Sequence, residues 1–262
     1  MTCLTLSLMQ ADAQTRTVPE LKEALSQSME QAATAGADVL ITPELFLSGY
    51  GDTADTARYA QEHGSEVLQA CAQLAAQNGI ALVLGYPERG PSGLFNSAIV
   101  FDRSGEVVCN YRKVNLPNDY ERGSFQRGRA PAVFEIAGVR CSVLICYDIE
   151  FPEMARSAVE MGAELLLVPT ALGPEWRIVA DNLVPVRAYE NGVFVAYCNF
   201  AASSLLQEFA GLSTVCGPDG QALVRAGLEP GMFTVTIDTA EIARIRSRLT
   251  FLADLKLMRA SR

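Results

Sequence analysis

The chain has 262 residues, 49% of them hydrophobic and 19% charged, with a mean hydropathy of +0.15. That composition builds a sizeable core and excludes disorder and collagen-like repeats, while a net charge of −9 disfavours binding to nucleic-acid backbones. The single histidine rules out a zinc site with two or three histidines and leaves only His63 for a Ser-His-Asp or Cys-His hydrolase, so acid–base chemistry falls to carboxylates, Lys, Cys or Tyr.

The segment from Met1 to Gln10 alternates Leu4, Leu6 and Leu8 with Thr5 and Ser7, as a half-buried strand does. It has no basic residue before Arg16 and so does not resemble a signal peptide. No apolar run approaches the ~20 residues of a membrane span. Leu21, Leu25, Met29, Ala32 and Ala33 repeat at helical spacing and stop at Gly36. Asp38–Thr42 is a short apolar strand ending at Pro43-Glu44. Ser65–Asn78 reads as a helix closed by Gly79, and Ile80–Gly85 as a buried strand. Asn96–Asp102 and Glu106–Arg112 flank Arg103-Ser104-Gly105 as a hairpin. A polar loop follows from Lys113 to Pro131.

The second half repeats this plan. Strands are expected at Val133–Ile136 and Val139–Cys146, then a helix at Pro152–Met161 with proline in its first turn. Glu164–Val168 is a strand stopped by Pro169-Thr170. A helix over Asp181–Asn191 and a strand over Val193–Asn199 come next. Leu212–Cys216 and Gln221–Val224 flank Pro218-Asp219-Gly220, and Met232–Ile237 is the last strand. Thr239–Leu249 reads as a helix capped by Thr239, and Thr250 to Arg262 as a basic, irregular tail.

Residues 36–43 and 162–169 echo each other, which suggests two similar halves. No Ser- or Pro-rich linker divides them, so one domain is expected over 1–262. Its core spans 1–249, and the 250–262 tail has an oligomer interface as one possible setting. Strands interspersed with helices imply an α/β sandwich. The seven cysteines are odd in number, follow no framework spacing and mostly sit in apolar runs. They point to a reduced, cytoplasmic protein.

Three polar sites lie where apolar strands end, the usual place for reactive groups in α/β proteins. Glu44 follows a buried strand; desolvation there would raise its pKa and suit it to be a general base. A helix-entry or surface role is the structural alternative. Lys113 ends a strand, where its ammonium could meet a developing oxyanion or simply project from a solvated loop. Cys146 ends a strand before a tight polar turn and a helix. Free N–H groups and the positive helix end would lower its pKa. A packed core cysteine is the alternative, and it fits the other six cysteines better. Asp148, Glu150 and Glu153 follow Cys146 at once and need solvent or partners.

Together, Pro43-Glu44-Leu45-Phe46-Leu47-Ser48-Gly49-Tyr50, Tyr111-Arg112-Lys113 and Cys146-Tyr147-Asp148-Ile149-Glu150-Phe151-Pro152-Glu153 resemble the three signature blocks of the nitrilase-type carbon–nitrogen hydrolases. Gly85-Tyr86-Pro87-Glu88, Val168-Pro169-Thr170-Ala171 and Arg187-Ala188-Tyr189-Glu190-Asn191 extend the resemblance over almost the whole chain. It implies a four-layer α-β-β-α sandwich assembled into a homodimer or larger homo-oligomer. It also implies Cys146 as nucleophile, Glu44 as general base and Lys113 as cationic partner, with no metal or organic cofactor. Glu121 matches a second family Glu that positions substrate, with Asp119 as the competing assignment. The backbone N–H of Tyr147 would share the oxyanion with Lys113. Tyr50, Thr170, Ala171 and Trp176 join the expected substrate-positioning set. One departure is Asn115, where the family commonly has histidine.

The Tyr147-Asp148 pair resembles the amidase branches rather than nitrilases proper. Where amidases of α-keto acid amides often carry Arg, this chain has Glu150, which suggests a substrate with a cationic amine. The motifs look most like those of 5-aminopentanamidase and related (R)-amidases, which implies hydrolysis of short primary amides, ω-amino amides among them. Two alternatives stand: an N-carbamoyl-amine amidohydrolase of the carbamoylputrescine type, and a non-catalytic scaffold member of the fold. Glu150 could instead pair with a neighbouring Arg. Leu205, Leu206 and Phe209 form an apolar patch that could line the site or an interface, and His63 is expected at the surface.

Overall fold

A computed structural model describes residues 2–13, 17–204 and 206–261. Among them, twelve strands form two six-stranded sheets. The first contains β1 (Cys3–Gln10), β2 (Val39–Ile41), β3 (Ala81–Gly90), β4 (Gly93–Phe101), β5 (Val107–Arg112) and β12 (Gly231–Asp238), in the order β12-β1-β2-β3-β4-β5. The second contains β6 (Val133–Ile136), β7 (Val139–Val143), β8 (Leu165–Pro169), β9 (Phe194–Cys198), β10 (Thr214–Cys216) and β11 (Ala222–Arg225), in the order β11-β10-β9-β8-β7-β6. The echoing fragments become β2 and β8, each hydrogen-bonded to parallel neighbours on both sides. The α/β sandwich expected from the strand pattern is the observed architecture.

Alternation along the strands separates two apolar layers. Leu4, Leu6, Leu8, Val39 and Ile41 face the second sheet and meet Val143, Leu165, Leu167 and Ala196. Leu40, Leu82 and Leu84 point the other way, under α1 (Val18–Thr34) and α3 (Glu66–Asn78). Each such leucine, fully removed from water, contributes roughly 1.5–3 kcal/mol. On the far side of the second sheet, α5 (Pro152–Glu160) packs beside α6 (Val184–Asn191). No helix among the described residues is long and apolar enough to cross a membrane, and all seven cysteines are free.

Several boundaries differ from expectation for local reasons. β1 is almost wholly buried rather than half-buried. β12 pairs along its full length, and the Ser7 hydroxyl meets that of Thr234 at 2.7 Å. β3 runs on to Gly90 because Tyr86–Gly90 pairs with Gly93–Ser97 of β4. Two short helices are not anticipated by the sequence reading: α2 (Thr53–Tyr59), capped by the Asp52 carboxylate, and α4 (Asp119–Ser124), capped by Asn118 within the expected 113–131 loop. The helix read over 181–191 is a π turn, Val179–Leu183, followed by α6. α7 (Ala240–Arg246) is shorter than expected. Thr239 stands at its N-cap as expected, but its hydroxyl makes no cap hydrogen bond and instead exchanges hydrogen bonds with the Thr2 main chain. The tail is not irregular: Phe251–Ala260 forms α8, rich in Leu, Ala and Met, which are good helix formers.

Candidate active site

The ends of β2, β5, β7 and β8 converge at one edge of the sandwich. Glu44 N–H donates to Thr170 O at 3.3 Å, a main-chain bond that joins the two sheets at this edge. The Glu44 turn packs directly on β3 at Gly85. A Cβ there would lie 2.2 Å from Pro43 O, so only glycine permits the approach. Cys146 opens a single 3-10 turn, Cys146–Glu150, with φ 44. A non-glycine residue in that left-handed region costs of order 1–3 kcal/mol and persists only where neighbours enforce it.

Glu44, Lys113 and Glu121 have no exposed surface. Glu44 Oε1 accepts Lys113 Nζ at 2.6 Å and Asn96 Nδ2 at 2.7 Å. Glu44 Oε2 is buried with no hydrogen-bond partner among the described residues. Lys113 Nζ also donates to Glu121 Oε1 at 2.7 Å. Glu121 further accepts the Tyr50 hydroxyl at 2.7 Å and, on its other oxygen, Asn96 Nδ2 at 3.4 Å. Asn118 Nδ2 holds the Tyr50 oxygen at 2.8 Å.

Two carboxylates thus share one ammonium in a dry site. Burial pushes the Glu44 carboxyl up to about 7, and Glu121 adds to this, while Lys113 and Asn96 restrain it. Burial alone would neutralise Lys113, but Glu121 and Glu44 hold its ammonium well above the usual lysine range. The expectation of a desolvated Glu44 holds. For Cys146 the direction is reversed. Burial pushes the thiol up and Glu44 pushes it further, while Lys113, the Thr170 hydroxyl and the Ala171 main chain pull the other way. A five-residue turn presents too little aligned dipole to offset the lost hydration. Cys146 therefore rests as a thiol that needs a base.

The other expected residues are placed as follows. Asp119 is exposed and paired with Arg122, so Glu121 is the carboxylate that joins Lys113. Thr170 lies fully buried behind the thiol, its hydroxyl donating to Tyr197 Oη at 3.1 Å. Asn115 donates through both its main chain and its carboxamide to Asp148. A cavity of about 370 Å³ opens on Cys146 and is lined by Tyr50, Tyr147, Glu150, Ala171 and Trp176. Trp176 is 59% exposed and walls the cavity rather than covering core. A larger hollow, about 460 Å³, surrounds Arg112, Arg127 and Arg129 and shares no residue with this cavity.

Glu150 is half-buried, and burial pushes its carboxyl up against the pull of Lys113 and Arg187. Arg187 does not pair with that carboxylate; it donates instead to the main-chain oxygens of Ile149 and Glu150, at 2.9 and 2.6 Å. The cavity lining holds a second carboxylate, Glu175, and no lysine or arginine. Phe209 is buried against Phe200 and does not line the site; Leu206 is exposed, and Leu205 lies outside the described residues. His63 is exposed, far in character from this buried edge.

Sequence reading missed Asn96, Asn118, Glu175 and Gln207. A polar Asn96-Ser97 pair inside the apolar run Phe95–Phe101 was a visible signal for the first. Asn118 sat in what was read as loop, and nothing local marks Glu175 or Gln207.

The family model described as carbon-nitrogen hydrolase matches residues 5–247. A 2-oxoglutaramate amidase of Bacillus subtilis is 34% identical over 226 residues, covering 84% of this chain and 85% of the relative. An (R)-stereoselective amidase of a Pseudomonas species is 32% identical over 238 residues, covering 89% and 86%. A crystallised amidase from Nesterenkonia sp. superposes with a TM-score of 0.86 at 35% identity, covering 95% of each chain. The same amidase, in a mutant form, has been solved with the acetamide moiety of fluoroacetamide on its active-site cysteine, at a TM-score of 0.81 and 33% identity over 93% of each chain.

Proposed function

The chain belongs to the carbon–nitrogen hydrolase family, and from that premise we propose that it is an amidase using Glu44, Lys113 and Cys146. The observation that carries this reading is Glu44 itself. One oxygen is tied down by Lys113 and Asn96, and the other is buried and unpartnered, on a carboxyl raised to about 7. Such a group can take a proton and return it near neutral pH.

Glu44 removes the Cys146 proton, and the sulfur attacks the amide carbon. The carbonyl π electrons move to oxygen, and the Lys113 ammonium and the Tyr147 N–H donate hydrogen bonds to the resulting oxyanion. As the carbonyl re-forms, the C–N bond breaks and ammonia leaves with the proton held by Glu44. A thioester remains. Water, deprotonated by Glu44, attacks it and releases the acid and the thiol. Glu121 holds Lys113 and, through Tyr50, the cavity wall.

For the substrate, Glu150 and Glu175 in a cavity without lysine or arginine favour a short primary amide ending in an amine, such as 5-aminopentanamide. A substrate ending in a carboxylate, as the name of the Bacillus relative denotes, would meet two carboxylates in that lining. Ammonia release tests this, with Cys146→Ala as the blank. We expect 5-aminopentanamide to exceed pentanamide in kcat/KM by tenfold or more. Parity would leave an amidase of neutral amides. Carbon dioxide released with the ammonia from an N-carbamoyl amine would favour the carbamoyl reading. Turnover equal to the blank would favour the scaffold.

We also propose a homodimer through the face formed by Val186 and Tyr189 of α6 and Phe251, Leu257 and Met258 of α8. All five are large apolar residues at 40% exposure or more, and the Tyr189 and Phe251 rings lie 5.5 Å apart. Light scattering of Leu257→Asp should report a monomer. The free cysteines fit a reducing, cytoplasmic setting.

A further inference from the structure

Asp148 lies two residues beyond Cys146 and has no exposed surface. Its carboxylate accepts four hydrogen bonds. Oδ1 takes Asn115 N at 2.9 Å and Asn115 Nδ2 at 3.0 Å; Oδ2 takes the Tyr111 hydroxyl at 2.7 Å and Ile145 N at 3.2 Å. The Tyr111 oxygen also receives a main-chain hydrogen bond from Val114. Every partner of the carboxylate donates, and only the ionised form accepts from all four. Burial pushes the carboxyl upward, while Tyr111, the Lys113 ammonium and the main chain at Asn115 and Ile145 pull it down. The Lys113 ammonium bears on it from beyond the end of β5.

Tyr111 lies in β5, at the margin of the first sheet, and Lys113 and Asn115 follow the strand's end at Arg112. Ile145, Cys146 and Asp148 follow β7 in the second sheet. The two segments bear the cation and the thiol of the site. Asn115 and Asp148 are 33 residues apart in the chain. The Cys146 backbone is held in the left-handed region, φ 44, which it would leave without enforcement.

We infer that Asp148 is a positioning residue that sets Lys113 and Cys146 in register by clamping the β5 end onto the nucleophile turn. Asn115 serves it as a neutral donor, so the clamp carries no imidazole titration of its own. The inference rests on the reading of Cys146 as the nucleophile, so its test includes a measurement independent of any amide.

That measurement is the rate of Cys146 alkylation by iodoacetamide, followed by mass spectrometry with Cys146→Ala as the blank. It is paired with steady-state hydrolysis of the best amide. Asp148→Asn keeps the volume but cannot accept from all four donors; Asn115→Ala removes the carboxamide alone. We expect Asp148→Asn to lower kcat at least tenfold with KM within twofold, and to slow alkylation in parallel. Asn115→Ala should lower both rates several-fold. The double variant should be no slower than Asp148→Asn, because both break one clamp. Multiplying effects in the double variant, a loss confined to KM, or wild-type alkylation and kcat in Asp148→Asn would each overturn the inference. If Asp148→Asn does not fold, Tyr111→Phe replaces it in the same cycle with Asn115→Ala. A wild-type protein that hydrolyses no amide, yet whose alkylation follows this pattern, would fault the proposed function and leave the clamp standing.

Discussion

Glu44 and Lys113 meet at 2.6 Å with neither side chain exposed, and the contact engages only one of the two Glu44 oxygens. The pair is not a self-contained ion pair, because Glu121 competes for the same ammonium at 2.7 Å. Burial is the main reason Glu44 stays within reach of a proton near neutrality, and the negative charge of Glu121 adds to it against the pull of Lys113. A solvated Glu–Lys pair would hold the carboxyl ionised and make it a weaker base.

The Glu44 carboxyl, raised to about 7, must be ionised in the free enzyme to accept the thiol proton. We therefore expect kcat/KM to climb as pH rises through about 7 and then level. Glu44→Gln should cost at least ~100-fold, the scale of general base catalysis. A limb near the ordinary value of 4.5 would contradict the assignment. The same shift acts on stability. A carboxyl raised by folding contributes stability that is complete below its unfolded value and is lost as pH rises through the folded one. Between 4.5 and about 7, the Glu44 contribution should fall, and Glu44→Gln should flatten that slope in thermal melts.

Asn96 donates to Glu44 and Glu121 from one nitrogen, and its bond to Glu44 holds that carboxyl down. Asn96→Ala should move the acid limb of kcat/KM to higher pH by on the order of one unit, since a hydrogen bond to a charged group is worth about 1.5–3 kcal/mol. A pH profile that keeps its wild-type midpoint would show that Asn96 only fills space.

Glu150→Gln should reduce the preference for 5-aminopentanamide over pentanamide about tenfold, equivalent to ~1.4 kcal/mol. Glu150→Arg should reverse it. Glu175 is exposed, where charge pairing is screened, so Glu175→Gln should act in the same direction by a few-fold. Unchanged ratios in all three variants would remove the cation reading.

His63 is exposed and stands in none of the reactive segments. His63→Ala should retain wild-type kcat and KM. A loss of turnover would require a proton carrier outside the carboxylate–lysine–cysteine set.

The residues of the site were legible because each ends an apolar strand, and strand periodicity is a local property of the chain. Glu44, Lys113 and Cys146 stood out as candidates that way, and the three sequence blocks around them carried the resemblance to the family. Desolvation of Glu44 was foreseeable too, since Val39–Ile41 is apolar throughout. Other features were beyond local reading. Glu121 and Asp119 are near neighbours in sequence, and only the turn of α4 sends one to Lys113 and the other to solvent. The Cys146 thiol was expected to fall in pKa beside a helix end. It rises, because burial strips the sulfur of water and Glu44 opposes its charge, while Lys113, Thr170 and Ala171, which arrive from other segments, offset only part of this. The tail became a helix: its Leu, Ala and Met are good helix formers, a local signal that the basic character of the segment masked. Sequence by itself determined which chemical groups are present and which strand each one ends. Tertiary structure decided their protonation and pairing, because desolvation and Coulomb terms depend on atoms brought together from both sheets.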